Sequence, residues 1–310
     1  MRLIFMGNPE FAVPTLQALV GSGFDVVGVV TNPDQPVGRG RNLRSSAVAL
    51  AARSANLKLI QPDSLNDANF HSELRNLLPD LFVVVAFRIL PQILLEIPKL
   101  GSVNLHGSLL PRYRGAAPIQ WALINGDKLT GLTTFLIKPK VDTGDIIDFV
   151  ELPIQPEDDY GSLAQRMQLA GANLMVNTIQ NLIAGRAVFH TQDNSGATKA
   201  PKITKEICRI DWDQPNSAIF NLIRGLAPIP GAFTTFAGKR LKLFKSVCLP
   251  ESEQAAVSGE IVLVSDTELQ IQTGSGVLAV ESCQLEGKRR LDVKEFLRGT
   301  SIARGIILGE

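Results

Sequence analysis

Several things are scarce or missing in this chain of 310 residues, and each absence removes a class of function. Three cysteines, at 208, 248 and 283, are odd in number and lack metal-ligand spacing. They exclude a disulfide framework and read as core or surface thiols in a reducing compartment. No apolar run approaches the roughly 20 residues that span a bilayer. The opening Met1-Arg2-Leu3-Ile4-Phe5-Met6 is too short for a signal peptide and reads as a first strand. A cytoplasmic protein with no membrane partner is expected. The formal net charge is only +1, so there is no global field for a polyanion, and contact with RNA must come from local patches. No G-x-G-x-x-G follows the first strand, which argues against a dinucleotide site. Carboxylates and histidines do not cluster at ligand spacing, so no metal is expected.

What remains is ordinary globular material, 45% hydrophobic and 20% charged, long enough for two domains with separate cores. Residues 2–6, a glycine turn, a helical pattern over 14–20 and a strand over 25–30 make a βαβ unit of a parallel sheet. Helices are expected over 45–55 and 68–78, with a short strand at 57–60 between them. Leu81 to Ala86 is too apolar to face water and reads as a central strand. Further strands fall at 132–137 and 145–152. A long helix over 163–184 follows, with its two methionines as core filler. The polar stretch 190–205, with Gly, Pro and three lysines, reads as a linker. Beyond it come a helix over 216–224 and strands at 233–236, 241–246, 259–264, 268–272 and 277–281. Five short strands separated by glycine turns suggest a small Greek-key barrel. The fold class is therefore α/β. A Rossmann-like parallel-sheet domain covers 1–189, a linker 190–205, and an OB-fold-like β-barrel domain 206–310. His71 is expected to be exposed on its helix and His190 in the linker; neither receives a role.

Chemistry concentrates in the stretch from Val103 to Pro118. Val103 and Leu105 alternate with Asn104 and His106, so the amide and the imidazole share one face of a strand. Buried together they need partners or a cleft. Downstream, Val141-Asp142-Thr143-Gly144-Asp145 is a turn-rich carboxylate loop. A carboxylate paired with an imidazole turns a histidine into a usable proton carrier, and an amide can stabilise negative charge on a carbonyl oxygen. With no serine or cysteine nucleophile among them, these groups suggest acyl transfer directly onto an incoming amine. The loop over 32–44 carries Arg39, Arg41 and Arg44, and its prolines and glycines argue against helix or strand. It reads either as a solvated surface loop or as an arm that seeks phosphates.

Asn104-x-His106, Ser108-Leu109-Leu110-Pro111, Arg114-Gly115-Ala116-Ala117-Pro118-Ile119-Gln120 and Asp142-Thr143-Gly144-Asp145 together resemble the folate-dependent formyltransferases, over nearly the whole chain. The continuation through Trp121-Ala122-Leu123-Ile124-Asn125-Gly126-Asp127 resembles the branch that acts on initiator methionyl-tRNA. The resemblance implies transfer of formyl from 10-formyltetrahydrofolate to the methionine α-amine of that tRNA. It makes Asn104, His106 and Asp142 catalytic, with Asp142 orienting His106. It places the folate against Ser108, Leu109, Leu110, Pro111 and Leu90. For tRNA it implies Arg39 and Arg41 in the loop and Lys239, Arg240 and Lys242 on a hairpin of the second domain; Lys288-Arg289-Arg290 is a further basic cluster. The chain is expected to act as a monomer. Two departures stand out. The first turn has Asn8 where the family usually has Thr, and Phe87-Arg88 forms a compact version of the loop after the central strand. The rival readings are a formyltransferase for another amine, such as a sugar nucleotide, and a catalytically silent RNA-binding protein.

Overall fold

The apolar segments of the N-terminal half line up side by side in parallel. The computed structural model describes residues 1–37, 42–250 and 256–309. In order come β1 (Arg2–Gly7), α1 (Val13–Gly21), β2 (Asp25–Val30), β3 (Gln35–Val37), β4 (Asn42–Arg44) and α2 (Ala47–Ser54). Next are β5 (Leu59–Ile60), α3 (Ala68–Asn76), β6 (Leu81–Val85), α4 (Gln92–Leu95) and β7 (Ser102–His106). The chain continues through β8 (Arg114–Gly115), α5 (Pro118–Ile124), β9 (Leu129–Leu136), β10 (Ile146–Pro153), α6 (Tyr160–Ile183) and β11 (Lys199–Ala200). It divides into two compact units. The first comprises Met1–Pro118, Leu129–Pro153 and Ala164–Pro201; the second comprises Ile119–Lys128, Ile154–Leu163 and Lys202–Glu310.

The first unit is built on a seven-stranded sheet in the order β10-β9-β7-β6-β1-β2-β5. Pairings from β7 through β6, β1 and β2 to β5 are parallel, and β9 and β10 add an antiparallel end. Covered on both faces, such a sheet needs apolar residues at successive positions rather than alternate ones. All five residues of β6 are accordingly buried. Ile4, Met6, Phe82 and Val84 pack with Phe70 and Leu74 on one face, and the alternating Leu3, Phe5, Val83 and Val85 are fully buried as well. Strand order reverses between β1 and β6, the place where open α/β sheets form a ligand crevice at the carboxyl ends of their strands. Two helix starts are fixed by side chains. Ser46 accepts from Ala49 N to cap α2, and Asp67 accepts from Asn69 N and Phe70 N to cap α3.

Two expectations fail here. The 32–44 segment is not irregular throughout. Gln35, Pro36 and Val37 pair antiparallel with Arg44, Leu43 and Asn42, giving a two-stranded ribbon. A ribbon with two free edges tolerates Pro36, whose missing N–H would break a central strand. His71 is not exposed. It shares the buried stripe of α3 with Phe70 and Leu74, and its Nε2 lies 2.7 Å from the Leu65 carbonyl oxygen. The helical period that buries Phe70 and Leu74 carries His71 inward with them. His190 is exposed, but its backbone bridges Ile146.

The second unit contains α7 (Asn216–Leu226), β12 (Ala232–Phe236), β13 (Lys239–Leu249), β14 (Ile261–Val264), β15 (Leu269–Gln272), β16 (Val277–Leu285), β17 (Leu291–Asp292) and α8 (Val293–Arg298). Its antiparallel sheet runs β12-β13-β16-β15-β14, with β17 on β16. The second strand of this series therefore lies beside the fifth. Trp212, Ile223, Leu241, Leu243 and Leu278 anchor its core, and Trp212 Nε1 donates to Thr234 Oγ1 at 3.1 Å. Cys208 and Cys283 are part of that core. No helix among the described residues is long and apolar enough to cross a membrane.

Burial pushes the Cys283 thiol up to about 12, whereas Cys248 is exposed. Native protein should therefore release one equivalent of thiol to a disulfide reagent near pH 8, and Cys248→Ser should abolish it. All three thiols should react after unfolding in denaturant. Rapid reaction of Cys283 in the folded chain would contradict the packing.

Candidate active site

Asn104 and His106 leave β7 on the same face, with the fully packed Val103 and Leu105 on the other. Asn104 pairs with Val84 of β6 on one side and Phe135 of β9 on the other. The His106 imidazole is 5% exposed and stands edge-on to Phe135, with ring centroids 6.4 Å apart. Its Nε2 lies 2.9 Å from the Tyr113 carbonyl oxygen. A carbonyl has no proton to give, so Nε2 carries the hydrogen and donates it. In the neutral ring the lone pair is then on Nδ1, and Nδ1 faces Asp142 Oδ2 at 3.9 Å. That separation is too long for a hydrogen bond. The ring is therefore oriented by Tyr113, and Asp142 supplies a negative charge opposite the nitrogen that is free to take a proton.

The other parts hold that arrangement. Tyr113 has φ 58, a left-handed conformation that costs a bulky residue on the order of 1–3 kcal/mol. Its backbone N–H donates to Thr198 Oγ1 at 2.8 Å. Asp142 is also left-handed, with φ 52, and its Oδ2 accepts from Gly115 N at 2.8 Å. Gly115 has φ 128, and a Cβ there would sit 2.5 Å from the Ala200 carbonyl oxygen. The backbone of β8 can pair with β11 and still reach Asp142 only if this residue is glycine. A Cβ on Gly144 would run into the Leu136 carbonyl. Gln192, itself buried, braces the same loop. Its Nε2 donates to the Asp142 carbonyl at 3.0 Å and the Gly144 carbonyl at 2.7 Å. Its Oε1 accepts from Arg114 Nε and Nη2 at 3.1 and 2.6 Å. The second acid of the loop, Asp145, is engaged elsewhere. The Lys138 ammonium at 2.9 Å holds its carboxyl below the usual carboxylate range, with help from Thr191.

Ser108 is fully buried and donates through Oγ to the Arg112 carbonyl at 2.6 Å, closing the turn that returns the chain to Tyr113. Thr133 on β9 donates to the Ser108 carbonyl at 2.7 Å and accepts from Leu110 N at 3.1 Å. The segment 108–111 is thus pinned to the neighbouring strand, with a cis bond between Leu110 and Pro111. Leu109 and Pro111 are half-buried, and Leu110 is buried. Leu90 is in the core with Phe82 and Leu94. The half-buried Asn104 amide has no hydrogen-bond partner among the described residues. Arg88 donates to the Pro62 and Asp63 carbonyls at 3.2 and 3.4 Å and stacks 5.2 Å above the Phe87 ring.

The basic residues fare unevenly. Arg39 and Arg41 lie outside the described residues. Lys239 is exposed. The Arg240 guanidinium stacks 4.8 Å from the Phe233 ring centroid, and Lys242 Nζ donates to the Pro230 carbonyl at 2.7 Å. Sequence reasoning passed over Tyr113, Thr133, Gln192 and Thr198. All four act through or upon backbone groups, for which side-chain chemistry gives no cue. Gln192 and Thr198 sit in a stretch whose composition resembles any linker.

Comparison with known proteins agrees with this chemistry. Residues 1–179 match the family model described as formyl transferase, and residues 202–301 match the formyl transferase C-terminal domain. The chain is 43% identical to methionyl-tRNA formyltransferase of Alkaliphilus oremlandii over 311 residues, covering 100% of both chains. It is 45% identical to that of Moorella thermoacetica over 310 residues, covering 100% of this chain and 99% of the other. Among solved structures, the N-formyltransferase of Helicobacter canadensis in complex with folinic acid and dTDP-3-aminofucose aligns with TM-score 0.67 and 22% identity over 93% of this chain and 99% of that one. HypX of Aquifex aeolicus in complex with tetrahydrofolic acid aligns with TM-score 0.66 and 18% identity, covering 96% of this chain and 47% of that one. The chain belongs to the formyl transferase family.

Replacing Gln192 by Ala would leave the buried Gly144 carbonyl and the partly buried Asp142 carbonyl without this donor, at about 1–3 kcal/mol for a buried group left unsatisfied. Gln192→Ala should lower both the melting temperature and turnover, and Gln192→Glu, which replaces the donor with a charged acceptor, should be worse than Ala. Paired thermal melts and single-turnover rates check this. Full turnover in a destabilised variant would mean the loop keeps Asp142 in place without the brace.

Proposed function

We propose that this family member transfers the formyl group of 10-formyltetrahydrofolate to the α-amino group of methionine on initiator methionyl-tRNA, giving N-formylmethionyl-tRNA for translation initiation. What carries the substrate assignment is full-length likeness to relatives of that name; the site supplies the chemistry. The residues fit a formyl donor on two counts. Asn104 offers an amide with no hydrogen-bond partner among the described residues, able to donate to a carbonyl oxygen, and His106 offers an Nδ1 that no described group occupies. The donor supplies an electrophilic formyl carbon and, at N10, the leaving nitrogen.

The amine attacks as the neutral base, and Asn104 donates to the oxyanion that forms on the formyl oxygen. His106 Nδ1 accepts the proton that the attacking nitrogen sheds. The resulting imidazolium is stabilised by the Asp142 carboxylate across the 3.9 Å gap, while Nε2–H stays on the Tyr113 carbonyl. His106 then returns that proton from Nδ1 to N10 as the C–N10 bond breaks. One proton thus moves from the incoming nitrogen to the departing one, and the enzyme is unchanged. Because Nε2 is committed, a single ring nitrogen both accepts and donates, which keeps the relay on the substrate side of the ring.

The remaining residues bind. Ser108, Leu109, Leu110 and Pro111 line the folate through backbone and shape, with Leu90 behind them. Arg39, Arg41, Lys239, Arg240 and Lys242 contact the tRNA backbone, contributing mainly to the salt dependence of binding. Arg240 and Lys242 have internal partners, so Lys239 should have the larger effect on that dependence in the second unit.

The decisive assay follows labelled formyl from donor into methionyl-tRNA, with a thymidine-diphosphate amino sugar as the competing acceptor. Transfer to the sugar alone would replace this reading. Within it, His106→Ala and Asp142→Ala should each cost roughly 10²–10⁴-fold in turnover, the range for a lost general acid–base. The double variant should be little worse than either single, as expected of residues acting as a unit. Independent, multiplicative losses would separate the two residues.

A further inference from the structure

Asn8, the residue that departs from the usual family turn, stands at the end of β1, directly after Gly7. Its side-chain oxygen accepts from Thr31 Oγ1 at 3.0 Å and from Asn32 N at 2.8 Å. Thr31 is fully buried, and its hydroxyl also lies 2.7 Å from Ser46 Oγ. A hydroxyl has one proton, and Thr31 uses it on Asn8. Ser46 must therefore donate to Thr31, and Ser46 Oγ in turn accepts from Ala49 N at 2.9 Å. The bonds form one directed chain, from Ala49 N–H through Ser46 and Thr31 to the Asn8 oxygen, where Asn32 N–H also ends. Every donor in it is used, and Asn8 is the terminal acceptor.

Residues 32 and 46 flank the β3–β4 ribbon, three positions before Gln35 and two after Arg44, and serve as its feet. The opposite side of the feet is also held. Gln61 Nε2 donates to Asp34 Oδ1 at 2.8 Å and to the Asn32 carbonyl at 2.9 Å. Arg53 donates to Ser45 Oγ at 2.6 Å and Asp34 Oδ2 at 3.1 Å. The Arg53 and Gln61 side is exposed for the most part, but the Asn8 side runs through the buried Thr31. A ribbon of two short strands has little stability of its own, so its direction is set by how its feet are held.

We infer that Asn8 is a positioning residue: as the acceptor that ends this chain, it fixes both feet of the ribbon to the carboxyl end of β1 and so sets where the ribbon, with Arg44 on β4, meets the acceptor RNA. The inference rests on the proposed substrate. It predicts that Asn8 acts on tRNA engagement alone, since its network comprises Thr31 and Asn32 between β2 and the ribbon and Ser46 at the cap of α2, and none belongs to the Asn104–His106–Asp142 set.

Two measurements on the full-length protein decide it, using Asn8→Ala, the isosteric Thr31→Val and the double variant. Hydrogen exchange in the free protein should accelerate at Asn32 and at the paired amides of 35–37 and 42–44 in all three variants, with β6 unaffected. Unchanged exchange at the ribbon would overturn the inference whatever the kinetics. In steady-state formyl transfer, KM for methionyl-tRNA should rise roughly tenfold, the factor that corresponds to about 1.4 kcal/mol. Saturating kcat and the affinity for a folate analogue should match the unsubstituted protein, and the double variant should equal either single. A parallel loss in kcat, folate affinity and tRNA KM would reduce Asn8 to general stability and overturn the assigned role, as would a loosened ribbon with unchanged KM. A loosened ribbon in a chain that formylates no tRNA at all would keep the anchor and remove the proposed substrate instead.

Discussion

The hydrogen bond from His106 Nε2 to the Tyr113 carbonyl is the constraint on which the site depends. It commits one ring nitrogen to the protein and leaves the other without a hydrogen bond among the described residues. It also makes demands on everything nearby. Tyr113 must hold a left-handed backbone to aim its carbonyl, Ser108 must close the turn that brings Tyr113 back under the strand, and Thr198 must satisfy the Tyr113 N–H. None of these residues needs reactive chemistry. They supply preorganisation, which lets a hydrogen-bonded group act without rearranging as charge develops.

Asp142 is controlled in a different way. Its carboxylate bonds to Gly115 rather than to the imidazole, and its loop is located by close backbone approaches and by Gln192. Glycine at 115 and at 144 is required because carbonyls occupy the space a side chain would need. The gap of 3.9 Å to Nδ1 follows from that scaffold. At that distance the carboxylate faces Nδ1 without a hydrogen bond to it.

Much of this could be read from residue order. The run Leu81–Val85 is buried on both faces, as a wholly apolar strand must be, and the alternation at 103–106 put an amide and an imidazole on one face. Propensity failed where partners decided the outcome. Pro36 and the nearby glycines argued for irregular chain, yet cross-strand pairing made a ribbon. His71 looked polar enough for solvent, but the Leu65 carbonyl accepts its Nε2–H and permits burial. The resemblance implied that Asp142 orients His106, whereas the Tyr113 carbonyl holds the ring and Asp142 stands 3.9 Å from Nδ1. That gap depends on Gly115, Gln192 and Ala200, whose roles are backbone contacts between segments far apart in sequence.

The stretch from 190 to 200 has a consequence for how the protein comes into being. Tyr113 N bonds Thr198 across 85 positions, and Arg114 bonds Gln192 across 78. During synthesis, at roughly 5–20 residues per second, the sheet through β7 leaves the ribosome several seconds before its braces. The nascent chain can pair β1, β2 and β6 and bury their apolar faces, but the imidazole has no fixed carbonyl and the acidic loop no anchor. A chain released at 179 or 189 would stop short of the same point. The geometry around His106 and Asp142 thus arrives with a short, mostly polar stretch late in the first unit, well after the core that supports it.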